Sequence, residues 1–87
     1  MNGGQAMYDL NELNRIAAEY GAQVQIDPHE YEMATIISVR LGNKVADAKI
    51  KNDLLAWKMA KDNTWLQGLV LDMVNRLWRD KVERTVP

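Results

Sequence analysis

Cysteine is absent from this 87-residue sequence, which excludes a disulfide framework and any thiolate metal site. The absence fits a reducing compartment, and a cytoplasmic location is expected. Long apolar runs are also missing. No stretch approaches the roughly 20 residues that span a bilayer, and no basic segment followed by an apolar run marks a secretory leader. Gly3 stands one place too late for N-myristoylation. Proline and glycine are scarce, at two and five residues, and they collect into no linker. Residues 1–87 are therefore expected to form a single small domain, with 1–6 a disordered lead-in that lacks apolar content.

What is present is ordinary globular composition, 47% hydrophobic and 26% charged, which excludes a disordered or membrane-embedded chain. A domain of this size buries only about 60 to 70% of its unfolded surface, so a subunit interface would add useful stability. Charge is uneven. Residues 1–33 hold six acids against Arg15, a net of −5, and residues 34–87 hold ten bases against six acids, a net of +4. The second half is less basic than nucleic-acid modules usually are.

Asp9 is placed to cap a helix over Leu10–Tyr20, with Glu12 completing a capping box, Tyr8 stapling against Leu13 and Gly21 supplying the left-handed stop. The period then changes to two. Val24 and Ile26 form a first strand, Asp27-Pro28-His29-Glu30 reads as a turn, and Tyr31 to Leu41 alternates again. Closing that turn places Ile26 opposite Tyr31 and Val24 opposite Met33. Gly42-Asn43 suits a two-residue hairpin turn that sets Leu41 against Lys44, Val39 against Ala46, Ile37 against Ala48 and Thr35 against Ile50. One face of this meander is apolar; the other carries Ile36, Ser38, Arg40, Asp47, Lys49 and Lys51. Asn52 or Asp53 is expected to cap a short helix, Asp62-Asn63-Thr64 to break it, and Thr64 with Gln67 to open a long last helix. The expected class is α+β in the order α-β-β-β-α-α, with the helices packed on one face of a three-stranded antiparallel meander.

The last helix has more apolar surface than one small core requires. Leu66, Leu69, Val70, Met73 and Leu77 recur at spacings of three and four, the pattern of a core-facing stripe. Leu71, Val74, Trp78 and Val82 form a second stripe beside it. These four are the candidate protein interface, with Trp78 as the aromatic anchor, unless a neighbouring helix covers them. Trp57 and Trp65 flank the helix break and are expected to pin its two arms to the core.

Nothing in the sequence nominates chemistry. His29 lies among Asp27, Glu30 and Glu32, but strand alternation sends Asp27 and His29 one way and Glu30 and Glu32 the other, so no metal is expected. Ser38 is mid-strand, no threonine has a neighbouring base, and no glycine-rich phosphate loop occurs. An enzyme is not expected, nor a cofactor. Arg40, Lys49, Lys51, Arg76 and Arg79 are the candidate phosphate contacts of an alternative, nucleic-acid-binding reading.

The order helix, three strands, helix over residues 9–61 resembles the double-stranded RNA-binding domain, which implies RNA binding. That family carries a Lys-Lys-x-Ala-Lys cluster at the start of its second helix, where this chain has Asn52-Asp53-Leu54-Leu55-Ala56. With the last helix added, the order is similar to that of some small phage-encoded anti-CRISPR proteins. That resemblance implies inhibition of a host system by occupying a partner's surface. Protein association is the favoured function, either as a homodimer or against a larger target.

Overall fold

A computed structural model describes residues 8–85, with side chains from Tyr8 to Asp80; the lead-in 1–6 lies outside the described residues. Helix α1 (Leu10–Ala18) leads into strands β1 (Ala22–His29), β2 (Ala34–Leu41) and β3 (Lys44–Lys51), and helices α2 (Asn52–Lys61) and α3 (Trp65–Thr85) follow. The strands form one antiparallel sheet in the order β1-β2-β3. This is the expected α+β meander with helices against the sheet. No described helix is long and apolar enough to cross a membrane.

Asp9 caps α1 as the sequence predicts, its Oδ1 accepting from the backbone N–H of Asn11 at 3.0 Å and of Glu12 at 3.3 Å. Glu12 does not reach back to complete a box; it holds Arg15 one turn along. The helix ends two residues before Tyr20 because the chain tightens. Tyr20 donates to Ala17 at 2.9 Å and Gly21 to Ala18 at 3.0 Å, and Gly21 then takes the left-handed φ of 76°.

The β2–β3 hairpin has the expected register, with Leu41 opposite Lys44 and Thr35 opposite Ile50. Gly42 at φ 64° sits first in its turn and Asn43 keeps a negative φ, as a primed turn with Gly in the first central position requires. The β1–β2 register differs from expectation. Ile26 faces Ile37 and Val24 faces Val39, because β1 runs on through Pro28 to His29 and the turn is Glu30 to Met33. Met33 donates to the Glu30 carbonyl at 3.1 Å and adopts a positive φ of 52°. The slip is even, so Val24 and Ile26 keep the same face.

That face and the helices enclose the core: Leu13 and Ala17 from α1, Val24, Ile37, Val39 and Ile50 from the sheet, Leu55 from α2, and Leu66, Val70, Met73, Val74 and Leu77 from α3. Tyr8 packs against it and shares a small crevice with Leu13 and Leu66, as the staple requires. The start of α2 is set by tertiary bonds instead of a cap. Lys51 holds the cap position without a side-chain bond. Neither Asn52 nor Asp53 takes the capping role. Asn52 donates its N–H to the Met33 carbonyl at 2.9 Å, and its Oδ1 accepts from the Thr35 hydroxyl at 2.8 Å. At the break before α3, the Thr64 hydroxyl donates to Asp62 Oδ1 at 2.6 Å instead of capping with Gln67. That bond, with one from the Thr64 N–H, holds the Asp62 carboxyl below its ordinary pKa.

Candidate protein-binding surface

The two apolar stripes of α3 meet different fates. Leu66, Val70, Met73 and Leu77 of the first stripe are buried, and Leu69 is half-buried against them. Of the second stripe, Val74 is 0% exposed and belongs to the core, Leu71 is half-buried and Trp78 is 48% exposed. Val82 lies outside the residues whose side chains are described. Val74 therefore offers nothing to a partner, and among the described residues the surplus reduces to Trp78 with Leu71 two turns before it.

Helix length explains where the surplus survives. The N-terminal end of α1 (Asp9, Glu12, Leu13) lines one crevice with Leu66 and Gln67 at the start of α3. A nine-residue helix extends about 13 Å, whereas Trp78 lies about 18 Å along α3 from Leu66. Whichever way α1 runs, it ends before it can cover Trp78.

Around this point α3 is charged on its other sides. Arg76 pairs with Asp72 at 2.9 Å and Lys44 of β3 reaches Asp80 at 3.0 Å, while Arg79 is exposed. A half-exposed indole beside polar and ion-paired residues is the usual composition of an interface anchor and its rim.

Trp57 departs from the expected pinning role. It is 51% exposed, and Lys61 and Lys58 place their ammonium groups 4.1 and 5.4 Å from its ring. Leu55 is the only fully buried residue of α2, so Trp57, two positions on, points away from the core. Trp65 is half-buried and packed against the core, as expected.

The bases of the nucleic-acid reading are divided between layers. Arg40, Lys49 and Lys51 stand exposed on the open face of the sheet, and Arg76 and Arg79 stand exposed on α3, which packs on the opposite face. The open face is not basic. Asp47 accepts from the Ser38 hydroxyl at 2.7 Å, and Lys49 pairs with Glu32 and lowers its pKa through that hydrogen bond.

The turn at Glu30 to Met33 also corrects the reading of His29. Asp27 Oδ2 lies 3.1 Å from its Nε2, and Glu32 Oε2 lies 3.4 Å from its Nδ1, because the chain reverses and returns Glu32 to the same side. The expected separation of His29 from Glu32 does not hold. Among the described residues, no group of three or more acids and histidines is arranged to hold a metal ion.

Two features had no signal in the sequence. Asn14, mid-helix, turns its carboxamide onto β1, accepting from the Val24 N–H at 2.9 Å and donating to the Val24 carbonyl at 3.2 Å. Val45, on the wet face of β3, is 55% exposed. Comparison with known proteins adds nothing to this surface, since no family model matches the chain, no curated protein matches it and no solved structure matches it.

Proposed function

We propose that this chain is a non-enzymatic protein-interaction module whose contact surface lies on the C-terminal half of α3, centred on Trp78 with Leu71 beside it. The observation that carries the reading is the half-exposed Trp78 on a helix that spends Leu66, Val70, Met73, Val74 and Leu77 on the core. A Trp buries about 150 to 250 Å² when enclosed. Half of that, about 100 Å², is worth about 2.5 kcal/mol when a partner covers it. The partner is a larger protein target, with a second copy as the other occupant this surface accepts. Occupying a host protein's surface, as an inhibitor from a phage or other mobile element does, suits a small module without catalytic machinery.

The alternative, nucleic-acid binding, has less support. Its five bases lie on two opposite layers, and those on the sheet are interleaved with Asp27, Glu32 and Asp47. Phosphate contacts need a continuous positive surface.

The test pairs affinity capture from candidate host lysates with circular dichroism, on the wild type and on Trp78→Glu. The expected result is a protein retained by the wild type and lost from the variant, with the variant's spectrum unchanged. A variant that captures as well as the wild type, or that unfolds as a core substitution would, overturns the assignment.

A further inference from the structure

The two edges of the sheet are treated differently. The two-residue turn makes Leu41 and Lys44 exchange both backbone bonds, so Lys44, Ala46, Ala48 and Ile50 bond to β2. Val45, Asp47 and Lys49 between them point their N–H and C=O groups outward. Among the described residues, no backbone or side-chain group bonds to these outward groups. On β1, by the same alternation, the outward residues are Ala22, Val24, Ile26 and Pro28. That edge is blocked at its middle and end: Asn14 satisfies both groups of Val24, and Pro28 has no N–H to offer. An open edge strand is a template for another strand.

The residues of β3 also say which strand fits. Antiparallel pairing of β3 with itself about a two-fold axis at Asp47 sets Asp47 against Asp47, and an axis at Lys49 sets Lys49 against Lys49. An axis at Ala48 sets Asp47 against Lys49 of the second copy and Lys49 against Asp47 of the second copy, so both cross-strand pairs are of opposite charge. Neither group is saturated. Asp47 uses Oδ1 for Ser38, and Lys49 uses one of three donors for Glu32. On the inner face, Ala48 meets its own copy, and no bulky side chain stands at the axis.

We propose that two copies of this chain join edge to edge through β3 about a two-fold axis at Ala48, making one six-stranded antiparallel sheet. Asp47 and Lys49 of each copy exchange backbone bonds with Lys49 and Asp47 of the other, four bonds flanking the axis. The assembly goes beyond the Trp78 surface and uses none of its residues.

Light scattering over about 10 µM to about 1 mM, with amide exchange followed residue by residue, tests the pairing. The expected result is a dimer whose Asp47 and Lys49 amides become protected as concentration rises, while Ala46 and Ala48 are protected throughout. Asp47→Lys and Lys49→Asp should each weaken the dimer roughly 30-fold by turning two attractive pairs repulsive. The double variant Asp47→Lys/Lys49→Asp restores both pairs and should recover the dimer. Circular dichroism confirms that each variant is folded; where one is not, the exchange pattern of the wild type decides. A monomer at every concentration overturns the proposal. So does a folded double variant that stays monomeric, a dimer indifferent to both single reversals, or a dimer that dissolves with Trp78→Glu alone. The last outcome assigns self-association to α3 and leaves the lysines of β3 as guards of a free edge.

Discussion

Asn14→Ala isolates the device that blocks the β1 edge at its middle. The substitution removes two hydrogen bonds, one to each backbone group of Val24, and a third weaker one to the Leu10 carbonyl at 3.3 Å. Each of the two is worth about 0.5 to 1.5 kcal/mol net, and water reaches a partly buried edge well enough to spare the full desolvation cost. Alanine in turn gains about 0.6 kcal/mol of helix propensity over asparagine. The expected net loss is about 1 kcal/mol, a fall in Tm of about 4 to 8 °C for a chain of this size. Asn11→Ala, an exposed position on the same helix, carries the propensity gain without the loss and should be neutral or slightly stabilising. Equilibrium urea unfolding of both variants gives the difference, and amide exchange at Val24 should accelerate only in Asn14→Ala. Equal stability of the two variants would refute the idea that Asn14 acts as a substitute strand.

Met33→Gly should stabilise the chain by about 0.5 to 1 kcal/mol, because Met33 holds a left-handed φ of 52° with its side chain 69% exposed, so strain is relieved and little burial is lost; urea unfolding reads the sign. Stability should decline on acidification. Glu12 beside Arg15, Glu32 beside Lys49 and Asp62 under Thr64 all have folded pKa values below their ordinary range, so their contribution is present above the unfolded values and is lost as pH falls through the folded ones, below about pH 4. Glu32→Gln should flatten that acid limb in a thermal-melt series, and an unchanged limb would remove Glu32 from the account.

The order of elements was legible because the Asp9 cap, turn chemistry and period agreed with one another. Gly42-Asn43 fixed a whole register, since a two-residue turn leaves no freedom in the pairing beyond it. The first hairpin was not legible to the same degree. Pro28 reads as a strand breaker, but its missing N–H falls on the outer side of an edge strand, where the ladder loses nothing. The turn therefore moved to Glu30 through Met33, and with it Glu32 came beside His29 and Lys49. The apolar faces were harder still. Periodicity shows that α3 carries a wide arc, but which part is covered depends on the reach of α1, a tertiary quantity. Val74 lies about 12 Å along α3 from Leu66, within that reach, and was absorbed; Trp78, one turn on, was not. Trp57 was misread for a related reason: a short helix that buries only Leu55 leaves its other large side chains outside.

The two proposed surfaces do not compete for space. Asp80 turns toward β3, since it reaches Lys44 at 3.0 Å, and Trp78, two residues earlier, lies about 200° around the helix from it. The side of α3 that carries Trp78 thus faces away from the strand at whose edge a second copy would pair. A sheet joined at Ala48 would leave both copies of Trp78 open, one on each side of the two-fold axis. Such an assembly would bind a repeated or dimeric target through two contacts of modest area, the second forming at the effective concentration set by the first. That arithmetic suits this chain. One half-exposed indole and one half-buried leucine offer less than a standard interface buries, so a single copy would hold its target weakly and a pair would hold it well.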